Sequence, residues 1–165
     1  EAALGEKEGD GELAVCEQEP TISTMSQRWR SEGRFAGKNE WTKTVPVAVT
    51  TLDLLIERYG TPAFCKIDVE GFEVSVLKGR SQPIPIISFE FTREFFSDAR
   101  SCIDHLLSIG PVAFNASFGE SMTLLWEKWV DPGELYGRLE AEEDPLLWGD
   151  IYAKSFKETH HVRHS

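Results

Sequence analysis

One short apolar stretch, residues 64–71, constrains the fold more than any other part of the chain. It reads Phe-Cys-Lys-Ile-Asp-Val-Glu-Gly, follows Pro62 and precedes a helical pattern. An apolar run of this length in such a setting predicts a fully buried parallel strand that leads into a helix. Asp68 and Glu70 would then lie at the carboxyl end of a strand, the edge at which open α/β sheets bind ligands. The two acids therefore form a candidate site.

The patterns that follow predict an α/β sheet. A helix begins at a Thr50–Asp53 capping pair and ends at Gly60, residues 71–78 form a second helix, and residues 86–91 form the next strand. We further expect a helix from Ser97 to Gly110 that buries Ala99, Cys102, Ile103 and Leu106, an antiparallel hairpin of strands 112–117 and 122–126, a helix after Asp131, and a last strand at 149–154. This order predicts parallel strands that give way to an antiparallel edge.

The segments before and after this sheet carry weaker patterns. Residues 12–17 predict an exposed strand, and residues 44–49 predict an edge strand, because Pro46 cannot donate to a ladder. Residues 20–43 predict a long loop or irregular hairpin, either a lid over a ligand or a disordered insertion. Residues 156–165 predict a polar tail whose histidines are too isolated from carboxylates for a metal site.

Composition limits the kinds of partner. The 165 residues predict one domain, residues 1–155, ahead of the tail. The chain has 28 acidic against 17 basic residues, a net charge of -11 that argues against nucleic acid. No apolar run is long enough to cross a membrane. Three cysteines without CxxC spacing favour buried free thiols, which are typical of a reducing, cytoplasmic location.

Four consecutive signatures resemble those of the FkbM-type methyltransferase family. They are Thr-Leu-Asp at 51–53, Lys-Ile-Asp-Val-Glu-Gly-Phe-Glu at 66–73, Val-Leu-Lys-Gly at 76–79 and Ser-Phe-Glu-Phe at 88–91. The resemblance implies an α/β, Rossmann-like class I methyltransferase fold. It also implies S-adenosylmethionine as the methyl donor and a hydroxyl of a sugar, polyketide or similar secondary metabolite as the acceptor.

The chain departs from this family in one respect. Members carry a glycine-rich first loop upstream of these signatures, whereas Gly5, Gly9 and Gly11 lie among acidic residues with no strand before them. The resemblance therefore implies only the C-terminal portion of the fold, in a chain that begins midway through the domain. We assign no cofactor-binding residue. We expect weak binding of S-adenosylmethionine and self-association through an open strand edge.

The resemblance also implies roles for individual residues. Asp68 would lie beside the reactive methyl group, where it would orient the acceptor hydroxyl, take its proton or hold a divalent cation. Glu70 would share this work or cap the next helix. Glu90 and Asn115 are candidate substrate contacts, with a solvated strand end and turn chemistry as their structural alternatives. We expect Lys66 to form an ion pair at the strand end, and no residue is assigned as a dedicated metal ligand.

Two other functions fit the same residues. An Asp-x-Glu pair at a strand end also suits a magnesium-dependent hydrolase, which would act without S-adenosylmethionine. A non-catalytic half-domain that packs against a partner chain is the third interpretation, because the central strand would offer an open edge.

Overall fold

The structure, a computed structural model, describes residues 2–121 and 123–156. Its elements are β1 (Ala3–Leu4), β2 (Gly9–Val15), α1 (Gln27–Glu32), β3 (Lys43–Thr50), α2 (Leu52–Tyr59), β4 (Cys65–Ile67), α3 (Glu73–Lys78), β5 (Ile86–Thr92), α4 (Phe96–Ile109), β6 (Val112–Phe118), α5 (Pro132–Glu140) and β7 (Trp148–Ser155). Among the described residues the strands form two sheets, with the orders β1-β3-β2 and β4-β5-β7-β6. The molecule is therefore an α/β protein with mixed sheets.

The four-stranded sheet carries the main core. β4 and β5 are parallel, as predicted, and α3 lies in the connection between them. One face of the sheet packs with α4, whose buried side chains are Ala99, Cys102, Ile103 and Leu106. These residues follow the i, i+3, i+4, i+7 spacing of an amphipathic helix, which confirms the predicted stripe.

The predicted hairpin of strands 112–117 and 122–126 is wrong. β6 forms as expected, but residues 123–126 contain no strand, and Met122 lies outside the described residues. β6 pairs instead with β7, from Val112 opposite Ser155 to Phe118 opposite Gly149. β7 also pairs with β5, so it lies between the two. Its alternating buried residues complete the core, whereas the side chains at 124 and 125 are exposed.

The small sheet corrects the expectation for residues 44–49. They belong to β3, which is the middle strand of three and not an edge strand. β1 pairs with only the last two residues of β3, Val49 and Thr50. At Pro46 the strand therefore has β2 on one side and no described strand on the other, which explains how a proline is tolerated there.

Residues 20–43, expected as a long loop, contain a 3-10 turn at residues 20–22 and helix α1 and are otherwise irregular, and a role as a lid or an insertion stays a prediction. Ser26 caps α1, its hydroxyl accepting a hydrogen bond of 3.1 Å from the Trp29 amide. Trp29 is only 2% exposed and packs against Phe35 and Phe95. The aromatic cluster anchors the segment to the four-stranded sheet, because Phe95 lies three residues after the end of β5.

Helix caps agree with the sequence to within a residue. The N-cap of α2 is Thr51, one position after the predicted cap, and the Thr51 hydroxyl accepts a hydrogen bond from the Leu54 amide. α5 begins after Asp131, as predicted, and the Asp131 carboxylate accepts a hydrogen bond of 3.0 Å from the Glu134 amide. Local capping chemistry was therefore sufficient to place both helix starts.

β4 is shorter and more exposed than predicted. It spans three residues, and only Ile67 is fully buried while Lys66 is exposed, so the fully buried strand is wrong. β4 ends the four-stranded sheet, and no strand in the described part of the chain pairs with its outer side. Self-association through this edge stays a prediction.

Two further expectations concern the whole chain. Cys16 and Cys102 are buried, Cys65 is half-buried, and all three are free thiols, as predicted. None of the helices in the described part of the chain has the length and apolar content of a membrane span. The expected histidine tail lies, apart from Phe156, outside the described residues.

Candidate functional site

A tight turn after β4 carries two of the predicted site residues. Glu70 has φ +53°, the one positive value at a non-glycine position in the described residues, and Gly71 follows with φ +82°. Side chains rarely adopt this left-handed backbone, since it crowds Cβ against the following carbonyl. The Thr24 hydroxyl donates a 2.7 Å hydrogen bond to the Glu70 carbonyl, which helps to hold the turn.

A buried acid that sequence reasoning missed holds the same turn from within. Glu73, the first residue of α3, is 7% exposed. Its carboxylate accepts hydrogen bonds from the backbone amides of Val69 at 3.2 Å and Gly71 at 3.3 Å. In the sequence Glu73 is only an acid in the first turn of the predicted helix, a position that acids commonly occupy because the helix dipole favours negative charge there. Glu73 instead fixes the backbone that presents Asp68 and Glu70.

The structure brings Asp68, Glu70 and Glu90 together. One carboxylate oxygen of each lies within 4.8 Å of the other two. This follows from the topology, because the parallel strands β4 and β5 end at the same edge of the sheet. We call these three residues the acidic triad. They line a cleft of about 640 Å³ whose other walls include Trp29, Arg34, Glu120 and Trp148.

Burial and, to a smaller extent, repulsion between carboxylates raise the pKa of two members of the triad. Burial, and then repulsion from Asp68 and Glu73, raises the pKa of Glu70 to about 7, although Arg34 opposes the shift. Burial raises the pKa of Glu90 to about 8, with further repulsion from Glu70, Glu73 and Asp68 and a smaller opposing effect of Arg34. Both carboxyl groups therefore exchange protons near neutral pH, unlike ordinary surface glutamates.

Two cations border the cleft. The Lys66 ammonium lies 2.8 Å from the Asp150 carboxylate and 3.4 Å from that of Asp68, which confirms the predicted ion pair. Lys66 is nevertheless 44% exposed, so this is a surface pair and not an internal one. Arg34 donates two 2.8 Å hydrogen bonds to Glu94, and the guanidinium is thereby turned mainly to Glu94 and not to the triad.

Asn115 is not brought to this cleft. It is 1% exposed within β6, and its amide group donates to the Trp126 carbonyl at 2.8 Å. Its oxygen accepts from the Ala116 and Trp126 amides. Asn115 does not line the cleft that holds the triad. The substrate contact predicted at Asn115 is therefore not part of the site that these residues assemble.

The arrangement has three chemical capabilities. Its carboxylates can accept hydrogen bonds from a hydroxyl, Glu70 and Glu90 can accept or release a proton near neutrality, and the three oxygens are close enough to share a divalent cation. The half-exposed Asp68 and the volume of the cleft leave room for a small molecule at the strand ends.

Comparison with known proteins identifies the family. The model of the FkbM methyltransferase domain matches residues 2–127, which include the whole triad and the strands that carry it. Searches of curated proteins and of solved structures returned no match. On the match over residues 2–127, the chain belongs to the FkbM methyltransferase domain family.

Proposed function

We propose that this protein is a methyltransferase that uses S-adenosylmethionine to methylate a hydroxyl oxygen of a sugar or secondary metabolite, and that the acidic triad binds this acceptor. The observation that carries the proposal is the convergence of three carboxyl groups in one cleft of a methyltransferase-family chain. An unactivated alcohol needs a base close to its proton, and the triad supplies hydrogen-bond acceptors and a base together.

The three acids have different roles in this proposal. Glu70 takes the proton of the acceptor hydroxyl, because its pKa of about 7 suits a general base that works near neutral pH. Asp68, half-exposed and paired with Lys66, orients the same hydroxyl. Glu90, whose pKa is about 8, is mostly protonated at neutral pH and donates a hydrogen bond to a neighbouring oxygen of the acceptor.

The methyl donor is implied by the family, but Gly5, Gly9 and Gly11 do not form a loop that could hold it. The Gly5 amide donates to the Thr50 carbonyl beside β3, while Gly9 and Gly11 lie in β2, paired with β3. None of the three lies in a strand-turn-helix cradle of the kind the family uses. We therefore assign only acceptor-side roles to this chain. We also infer a Rossmann-like class I arrangement, supported by the parallel β4 and β5 joined through α3.

A second candidate is a magnesium-dependent hydrolase. The spacing of the triad oxygens favours it, because oxygens within 4.8 Å of one another can coordinate one hard cation. The two candidates differ in what they require. A hydrolase would release product with magnesium alone, whereas a methyltransferase would need S-adenosylmethionine.

The test is transfer of a labelled methyl group from S-adenosylmethionine to a panel of sugars and hydroxylated metabolites, using the complete protein. We expect labelled product from the wild type. Asp68→Asn and Glu70→Gln should each lower turnover at least 100-fold, the usual scale of acid-base catalysis, while circular dichroism stays unchanged. Glu57→Gln, on the exposed side of α2, is the matched control and should keep wild-type turnover.

Two results would contradict the proposal. Near-normal turnover in Asp68→Asn would show that this acid is architectural. Magnesium-dependent hydrolysis without S-adenosylmethionine would favour the second candidate.

A further inference from the structure

A second cavity, of about 790 Å³, lies at the opposite end of the four-stranded sheet from the acidic triad. Its wall comes from residues just before β5 and β6 and just after β7, which the antiparallel pairing of β7 brings to one end. We call it the Arg80 cavity, after the one charged side chain among the described residues that line it. The other lining residues are mostly apolar and include Pro83, Leu106, Ile109, Val112 and Phe156.

Arg80 carries a buried guanidinium group. It is 2% exposed, and its Nε and Nη1 atoms have no hydrogen-bond acceptor within the described residues. Its backbone, in contrast, is fixed. The Arg80 amide donates to the Leu77 carbonyl at 3.1 Å, and the Arg80 carbonyl lies within hydrogen-bond distance, 3.0 Å, of Nε2 of His105. The backbone of Arg80 is therefore fixed beside the cavity, whereas no described group accepts a hydrogen bond from Nε or Nη1 of its side chain.

Among the described residues, the acidic groups whose charges act on Arg80 are Cys65 and Asp53, and neither forms a hydrogen bond with its side chain. The Asp53 carboxylate is already bound by Ser81, which donates to it from its amide at 2.9 and 3.0 Å and from its hydroxyl at 2.7 Å. Burial raises the pKa of the Cys65 thiol, so this neighbour is neutral at physiological pH. Burial also lowers the pKa of Arg80, yet an arginine side chain stays protonated in proteins. A buried cation with free donors is costly unless an anion reaches it.

We propose that the Arg80 cavity binds a small molecule with a single anionic head group, a carboxylate or a phosphate, on an apolar body. The head accepts hydrogen bonds from the guanidinium, and the body packs against the apolar wall. The volume of the cavity lies within the usual range of small-molecule sites. This site is separate from the triad and does not depend on the proposed methyl transfer.

The experiment titrates the complete protein with octanoate, octyl phosphate, 1-octanol and octylammonium, using calorimetry and amide chemical shifts. We expect at least one of the two anions to bind ten or more times more tightly than the alcohol, and the ammonium to bind most weakly. Shifts should concentrate at Arg80, Ile109 and Val112 and spare Glu90. The stronger of the two anions identifies the head group.

Variants separate the role of the charge from that of the apolar wall. Arg80→Met keeps the length of the side chain and should reduce anion affinity at least tenfold while leaving 1-octanol binding unchanged. Arg80→Lys should keep part of the preference for anions. Ile109→Trp retains Arg80 but fills the cavity, so it should weaken the binding of all four probes. This variant keeps the test decisive if Arg80→Met does not fold. Equal affinity for octanoate, octyl phosphate and 1-octanol, or anion binding unchanged by Arg80→Met, would overturn the proposal.

Discussion

At the scale of single residues, two acids of the cleft are held in unfavourable states, one in its backbone conformation and one in its ionisation. Glu70 adopts a left-handed backbone, which costs a side chain on the order of 1–2 kcal/mol. Glu90 is kept partly buried beside three other carboxyl groups, so its ionised form is disfavoured. Such strain and such pKa shifts concentrate at functional sites, because the rest of the fold must compensate for them.

Neutralising Glu90 should stabilise the protein at alkaline pH. Its pKa rises from 4.5 to about 8 on folding, so the folded state binds more protons than the unfolded state between these values. The free energy of unfolding therefore falls as pH rises through this window. Glu90→Gln cannot ionise, so its advantage over the wild type should be absent below pH 4.5 and on the order of 2 kcal/mol or more at pH 9. Urea denaturation of both proteins at several pH values measures this difference in the free energy of unfolding.

Glu94 provides the matched control with the opposite sign. Burial disfavours the Glu94 carboxylate, but the hydrogen bonds from Arg34, hydrogen bonds from backbone amides and the positive charge of Arg34 together outweigh burial and lower the pKa of Glu94. The ionised Glu94 carboxylate stabilises the folded protein above the pKa that Glu94 has in the unfolded chain. This stabilisation is lost as the pH falls through the lower pKa that Glu94 has in the folded protein. Glu94→Gln should therefore destabilise the protein at pH 7 and above. Equal pH profiles for the two variants would contradict the electrostatic description of the cleft.

At the scale of elements, the junction of α1 with the turn before α3 shapes the cleft. Trp29 of α1 lies against Gly71, where an added Cβ would come within 3.0 Å of the Trp29 Cβ. Trp29 also lines the cleft. The segment of residues 20–43 therefore forms a packed wall of the site, and its position depends on a glycine in the turn that carries Glu70.

Gly71→Ala should displace Trp29 and destabilise the folded protein. The substitution places a side chain at φ +82° and against Trp29, so we expect a loss on the order of 2–3 kcal/mol in the free energy of unfolding. Gly37→Ala is the control, because Gly37 also has a positive φ, +72°, but an added Cβ there meets nothing within 4 Å. It should cost only about 1 kcal/mol. Equal losses of stability in Gly71→Ala and Gly37→Ala would show that contact with Trp29 adds nothing to the cost of the substitution.

The elements that could be predicted are those whose signals are local. The amphipathic spacing of α4, the cap of α5 and the strand that became β5 were all evident in the sequence. α1 was missed because its stability comes from burying Trp29 among distant aromatic residues. The predicted hairpin is wrong because β6 pairs with β7, which begins some thirty residues later in the chain, and no local pattern reports such a partner.

At the scale of the whole molecule, the sheet has two different ends. The carboxyl ends of β4 and β5 carry the acidic triad, and the opposite end carries Arg80 in an apolar cavity. The triad was predictable because parallel strands share an edge and each acid follows an apolar run. Glu73 and Arg80 were not, because both are charged residues whose burial is set by tertiary packing. Sequence patterns therefore predict which acids converge, but they do not predict that charged residues such as Glu73 and Arg80 are buried.

The central claim is that Asp68, Glu70 and Glu90 share one cleft and influence one another's protonation. Carbon-13 NMR titration of the glutamate carboxyl groups, in the wild type and in Asp68→Asn, tests it most directly. We predict wild-type pKa values of about 7 for Glu70 and about 8 for Glu90, and a decrease of both in Asp68→Asn, because a repelling charge is removed. Ordinary glutamate pKa values, or values unchanged by Asp68→Asn, would contradict the claim.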